Sequence, residues 1–366
     1  MKALVIGGTG PTGPFVVEGL LQRGYEVTIL HRGAHEVEFS APVNHLHGDP
    51  HFTETLEETL GPRTFDVTIC TYGRLRIVAQ VMKGRTPQFI GIGGQGVYRA
   101  LVHPPRGPVG IPVPIPENAP LNLDPEVDKF TYLMAVTEQE VMNIHREGHY
   151  NATLFRYPGI YGPRQVGPSC WSIIKRIQDG RKRLIIPSGG LILQSRGYAE
   201  NMAHALMLAV DKPKKAGGQI YNVRDEKIIT VREWIELISG VMNHEWEFID
   251  MPNHLARPSR PYATGSHHAV LDITKIKKEL GYHDVVPVEE GIRRTVNWYL
   301  ENPPQSDDQG GRGSEDPFDY ETEDRIMEEF MHASAHIMEI PVTRGPLFHS
   351  YPHPRKPGEL KDHRGR

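Results

Sequence analysis

The chain has 366 residues, enough for two domains or one large one, and it can bury a core without disulfide or metal staples. Hydrophobic residues make up 38% and glycine adds 37 positions, a composition that excludes wholesale disorder. With 41 basic against 45 acidic residues (net −4), no global field draws the chain to nucleic acid or anionic lipid. Cys70 and Cys170 are the only cysteines, which rules out a disulfide framework and fits a reducing compartment. No apolar run approaches the roughly 18 residues of a membrane span. No cationic segment, apolar core and cleavage site precede Met1-Lys2-Ala3-Leu4-Val5-Ile6, so a soluble, cytoplasmic protein is expected.

In chain order, Lys2–Ile6 reads as a buried strand and residues 14–23 as a helix that stops at Gly24. Residues 26–30, Asn44–His47, 67–71 and 88–92 give four more strands. Strand and helix in this alternation predict an α/β protein: a Rossmann-type, doubly wound parallel sheet. Prolines crowd residues 104–125, which read as a loop rather than a domain boundary, because a helix over Lys129–Arg146 and a strand over 153–157 follow. Helices are expected at 170–178, 202–210 and Val231–Val241. Residues 1–165, completed by about 196–228, are therefore the expected dinucleotide domain, and 166–300 mainly a smaller C-terminal substrate lobe. A flexible linker opens residues 301–366, an extra tail with one helix at 322–338.

Gly7-Gly8-Thr9-Gly10-Pro11-Thr12-Gly13 follows the first strand at once and opens the first helix. Glycines at 7, 10 and 13 suit a tight turn, close approach of backbone to a pyrophosphate, and close helix–strand packing. The helix start offers unpaired N–H groups and a positive dipole end to phosphate. An NAD site places an acidic residue at the end of the second strand, but here stand His31 and Arg32. A guanidinium suits a 2′-phosphate, so NADP(H) is favoured over NAD. Asp49, followed by Pro50, stands where a carboxylate accepts from the adenine amino group, or caps the next helix.

These features resemble the extended short-chain dehydrogenase/reductase superfamily, the epimerase/dehydratase group that includes UDP-galactose 4-epimerase. Beyond the glycine turn and Asp49, the resemblance rests on Thr71-Tyr72-Gly73, Gly96-Val97-Tyr98, Glu117-Asn118-Ala119-Pro120 and Arg156-Tyr157-Pro158-Gly159-Ile160-Tyr161-Gly162-Pro163-Arg164. It covers about residues 1–300. It implies that Thr71, Tyr72 and Gly73 pass under the nicotinamide ribose and that Pro158 and Ile160 wall the nicotinamide. Gly94, Gln95, Tyr98, His103 and Arg164 fall on the substrate side. Superfamily members use a Ser or Thr near the end of strand five, with Tyr and Lys four apart on the next helix. In this chain Tyr132 is kept, both as the acid/base and as a nicotinamide-side residue, while Gly94 stands for the Ser and Val136 for the Lys. No tyrosine of the chain has Lys four residues later, so no shifted register restores the motif. An unassisted tyrosine, with a pKa near 10, is phenolate in only about one molecule in a thousand at pH 7. A neutral phenol still donates a proton, so carbonyl reduction is the easier direction.

Within the superfamily the pattern is nearest to the atypical branch of the chloroplast stem-loop-binding proteins, through the short helix after strand four, Leu184-Ile185-Ile186-Pro187-Ser188-Gly189-Gly190 and Ile220-Tyr221-Asn222-Val223. That branch lacks the usual catalytic set and is linked to RNA. The near-neutral charge argues against RNA, with Lys175-Arg176 and Arg181-Lys182-Arg183 as the one basic patch. Three readings follow. The first is an NADP(H)-dependent oxidoreductase or epimerase/dehydratase-like enzyme acting on a small oxygenated metabolite. The second is a nucleotide-binding protein without catalysis whose output is a partner or RNA. The third is a lyase or hydrolase reusing the cleft through His103 or Arg164. No metal site is expected: Glu328, His332 and His336 share a face of the tail helix but lack an HExxH pattern, and an amphipathic packing helix accounts for them. His267 and His268 read as loop residues, and a homodimer is compatible with the fold.

Overall fold

The structure is a computed structural model that describes residues 1–33, 37–102, 112–165, 167–263, 267–304, 316–343, 351 and 353–361. His103, expected on the substrate side, lies outside the described residues, as does most of the first half of the proline-rich stretch. The described chain forms two compact units, Met1–Asp319 and Tyr320–Arg366. The second holds the tail helix, Tyr320–Met338.

Seven strands carry the first unit: β1 (Lys2–Ile6), β2 (Glu26–His31), β3 (Asn44–His47), β4 (Val67–Cys70), β5 (Gln88–Gly94), β6 (Asn151–Tyr157) and β7 (Gln219–Asn222). Their order in the sheet is β7-β6-β5-β4-β1-β2-β3, and every neighbouring pair is parallel. Parallel strands covered on both faces need continuous apolar runs, and Ala3, Leu4, Val5 and Ile6 of β1 are fully buried. On one face Val5 and Ile29 pack with Val17, Leu20, Met202 and Leu206, and on the other Leu4 and Leu30 pack with Leu56, Leu60 and Ile144. The expected α/β architecture is the one observed. The strands run one or two residues past several expected ends, and the expected helix at 202–210 begins earlier, at Ala199.

The chain leaves β1 toward β2 and β3 and later returns to lay β4 to β7 on the other side, so the order reverses between β1 and β4. Ligand crevices in such sheets open at the carboxyl ends of the strands at this point. The smaller lobe has its own core of Cys170, Ile173, Ile174, Trp234, Ile235 and Ile292. It joins the sheet through the short strand Gly159–Tyr161, directly after β6, which pairs with Arg196–Tyr198.

Below the crevice lies a buried cation. Arg156 of β6 is 2% exposed and donates from Nη2 to Glu138 Oε2 at 2.7 Å, from Nη1 to the Tyr98 hydroxyl at 2.7 Å and from Nη1 to the Glu117 carbonyl at 2.8 Å. Tyr98 Oη in turn donates to Asn222 Oδ1 of β7 at 2.6 Å. Burial pushes the Arg156 guanidinium down, but the Glu138 carboxylate outweighs it and the net shift is upward. Deleting one member of a buried pair leaves the other charge uncompensated. Glu138→Ala is therefore expected to lose about 3–5 kcal/mol of stability, read by guanidinium unfolding. A loss below about 1 kcal/mol would show that the node is not a keystone of the fold.

Candidate functional site

The glycine turn sits at the reversal point, and each of its glycines meets a different demand. Gly7 has φ +95°, and a Cβ there would fall 2.3 Å from Tyr72 Cβ. The Thr71 hydroxyl donates to the Ile6 and Gly7 carbonyls at 3.1 and 3.2 Å, which ties the end of β4 to the turn. A Cβ at Gly13 would fall 2.4 Å from the Gly8 carbonyl carbon, so the first helix (Gly13–Gln22) starts hard against the turn. Pro14 occupies its first turn, where no amide hydrogen is required. A Cβ at Gly10 would meet nothing nearer than 3.8 Å, so its backbone borders open space. These are the three roles of a pyrophosphate-binding glycine motif: tight turn, open approach and close helix packing. Thr9 and Thr12 are buried in the turn, while Pro11 is partly exposed.

Beyond the turn, the groups expected at the adenine end already have partners. Asp49 accepts from the His51 amide at 3.0 Å and pairs with His51 Nδ1 at 2.6 Å. Desolvation raises the Asp49 carboxyl, but the His51 amide and ring, together with the Arg32 charge, hold it below its ordinary value. Arg32 is exposed and lies over the Tyr72 ring, 5.4 Å from its centroid, and Tyr72 also meets the edge of His51. Gly73, at φ +91°, packs on Pro50, whose Cβ and Cγ would stand 2.8 Å from an added Cβ. His31 is buried and its Nδ1 accepts from the Gly33 amide at 3.1 Å.

Tyr132, expected at the nicotinamide end, is half-buried in the first turn of helix Lys129–Arg146. Asp128 caps that helix by accepting from the Thr131 amide at 2.8 Å. Val136 occupies the next turn on the same face, so no cation stands four residues from the phenol. Gly94 ends β5, and a Cβ there would lie 3.0 Å from Met134 Cε. A side chain at this position would thus press on the flexible end of a methionine from the facing helix. Gln95, the next residue, has a buried side-chain oxygen with no partner among the described residues.

Two expected substrate contacts are engaged elsewhere. Tyr98 is fully buried, with both roles of its hydroxyl taken by Arg156 and Asn222, so it belongs to the framework under the crevice. Arg164, at φ 62°, lies over the Trp298 ring at 5.9 Å. Conversely, Arg196 was not singled out by sequence reasoning. It pairs in register with Gly159, beside Pro158 and Ile160, and its guanidinium stacks 4.1 Å from the Trp234 ring centroid. Nη2 donates to Gln194 Oε1 at 3.1 Å, and no carboxylate pairs with Arg196 among the described residues. Burial pushes its pKa down to about 10. A lone arginine carries no sequence signal; only the pairing of two three-residue strands brings it to this place.

A profile of the NAD dependent epimerase/dehydratase family matches residues 108–223. The chain is thus similar to the extended short-chain dehydrogenase/reductase superfamily over that segment, and it shares its fold with solved epimerases and dehydratases. Superposition on the UDP-glucose 4-epimerase of Thermotoga maritima, solved with UDP-glucose, gives a TM-score of 0.66 at 20% identity, covering 82% of this chain and 99% of the epimerase. The chloroplast stem-loop binding protein of 41 kDa b from Arabidopsis thaliana is 23% identical over 320 residues, 81% of this chain and 78% of that protein. Protein y4nL of Sinorhizobium fredii is 28% identical over 173 residues, 41% of this chain and 47% of its own length. The chain spans less than half the length of three curated relatives it matches, y4nL among them.

The glycine geometry separates packing from ligand approach. Gly13→Ala is expected to destabilise the protein by about 1–3 kcal/mol through overpacking, while Gly10→Ala stays within about 0.5 kcal/mol. Thermal unfolding of the two variants without added nucleotide checks this, and equal losses would mean that the space above Gly10 is not open.

Proposed function

We propose that the protein is an NADP(H)-dependent oxidoreductase of the epimerase/dehydratase type, acting on a small oxygenated metabolite that carries an anionic group. The observation that carries this reading is the glycine turn, packed tight at Gly7 and Gly13 and open at Gly10, at the carboxyl end of β1 where the strand order reverses. The turn amides and the helix start would receive the diphosphate. Arg32, stacked on Tyr72, would receive a 2′-phosphate, since a guanidinium matches phosphate in a bidentate fashion. Pro158 and Ile160 would border the nicotinamide. The coenzyme, when bound, supplies hydride or takes it up.

The chain's own residues supply the rest. The Tyr132 hydroxyl donates its proton to the substrate oxygen, and the absence of a lysine at Val136 suits donation better than abstraction. Gln95 lies where a donor is needed in place of the missing serine, and its amide end meets that need if it turns toward the substrate oxygen. Arg196, without a carboxylate partner and only partly solvated, favours a substrate with a carboxylate or phosphate group.

A second reading, nucleotide binding without turnover, is favoured by Gly94 and Val136 standing where the superfamily has its Ser and Lys. Titration of NADPH and NADH by fluorescence tests the shared foundation, and saturation by neither nucleotide would sink both readings. Arg32→Glu is expected to weaken NADPH at least about tenfold and NADH little. Tyr132→Phe is expected to lower carbonyl-reducing turnover by about 10²–10⁴ without changing NADPH affinity. Turnover unchanged in Tyr132→Phe would remove Tyr132 as the proton donor, and turnover by neither form would favour the second reading.

A further inference from the structure

Three imidazoles meet at the open edge of the sheet, a grouping that no element of the proposed reaction requires. His31 closes β2, and His47 is its direct partner on β3 in the parallel ladder. His45 lies two residues before His47, and alternate residues of a strand share a face. All three side chains therefore project from one face of the β2–β3 edge. One nitrogen from each ring lies within 4.8 Å of the others. The rings meet edge to face, His31 with His47 at 4.9 Å and with His45 at 5.3 Å between centroids. His45 and His47 are exposed, so core packing does not account for them.

We propose that His31, His45 and His47 form a binding site for a borderline divalent transition metal ion of the zinc, nickel or cobalt class. The His31 Nε2 to His45 Nδ1 separation is 3.2 Å. Two nitrogens bound tetrahedrally at about 2.0–2.1 Å from zinc stand about 3.3–3.4 Å apart, so this bite needs almost no adjustment. Imidazole ligands select such metals over magnesium or calcium, which require oxygen. Two paired strands hold the set, so backbone ordering adds little to the cost of binding. The exposed outer side leaves coordination positions for water or for an incoming anion.

The metal-free arrangement fixes what must change. The Gly33 amide donates to His31 Nδ1 at 3.1 Å, which puts the His31 proton on Nε2, facing His45. On binding, the cation takes that place and the proton moves to Nδ1. The His31 hydrogen bonds to the Gly33 amide and to His45 are among the contacts exchanged for nitrogen–metal bonds.

Cobalt(II) titration of the full chain, followed by visible absorption, with calorimetry for zinc and nickel, tests the assignment. One equivalent is expected to bind saturably, with magnesium inert. His47→Ala is expected to weaken binding at least about tenfold, since even the outer-shell partners of metal ligands are worth about 10–100-fold. The double variant His45→Ala/His47→Ala is expected to abolish it. Both substitutions are at exposed positions, and circular dichroism confirms that each variant folds. Saturable binding retained at full strength in the folded double variant would overturn the proposal, as would no binding by the parent chain. Loss of NADPH affinity in the double variant, with no metal bound by the parent, would also overturn it and give the imidazoles to the coenzyme instead.

Discussion

A guanidinium with almost no access to water has to be neutralised and hydrogen-bonded by whatever surrounds it, and Arg156 imposes that demand beneath the crevice. Its partners come from four places: Glu138 on the long helix, Tyr98 after β5, the Glu117 carbonyl in the proline-rich segment and, through Tyr98, Asn222 on β7. Asn222 extends the node by donating its side-chain amide to the Ile115 carbonyl at 2.9 Å and its backbone amide to Glu117 Oε1 at 3.0 Å. Separate elements thus share one polar centre. None of them can shift by even an ångström without leaving a charge or an amide unpaired. Helix Lys129–Arg146, which carries Tyr132, is registered against β5 and β6 by this means as well as by apolar packing.

The end of β5 shows the same close approach. Its last glycines let helix Lys129–Arg146 lie directly on the strand, and a Cβ at Gly93 would stand 3.2 Å from Glu138 Oε1. Gly94 belongs to this run, with Met134 filling the space beside it. A serine there would have to displace the methionine methyl, the mobile end of a flexible side chain. A side chain at 94 is therefore coupled to helix packing only through a shift of a few tenths of an ångström in that methyl.

What the sequence discloses depends on the range of the interaction. The strands β1 to β6 and the glycine turn were legible because their signals are local: apolar runs, a helix-opening proline, glycines at fixed spacing. The helix that carries Tyr132 and Val136 four residues apart was legible, because its pattern is local too. Arg196 was not, because its place beside Pro158 depends on the pairing of two short strands 37 positions apart in register. The imidazole group was hidden for the same reason. His45 and His47 look like polar residues of an edge strand until β2 brings His31 against them. Tyr98 ran in the opposite sense: its motif marked it for the crevice, yet its hydroxyl is held in the interior by hydrogen bonds to Arg156 and Asn222.

The adenosine end of the crevice is where ligand entry has to compete with existing contacts. Asp49 already holds His51, Arg32 already stacks on Tyr72, and His31 already accepts from Gly33. An adenine that takes an acceptor from Asp49 must displace a charge-assisted bond, whereas Arg32 can keep its stacking face on Tyr72 and still present its N–H edge to an anion. That difference weights recognition toward the phosphate groups of a nucleotide and away from its base. Under the proposed function, a dinucleotide with an extra phosphate on the adenosine ribose gains an interaction at Arg32 that disturbs nothing already made. The aromatic platform of Arg32, Tyr72, follows the same β4 terminus that is tied to the glycine turn through Thr71. In that reading Arg32 and the turn both depend on one contact between β1 and β4.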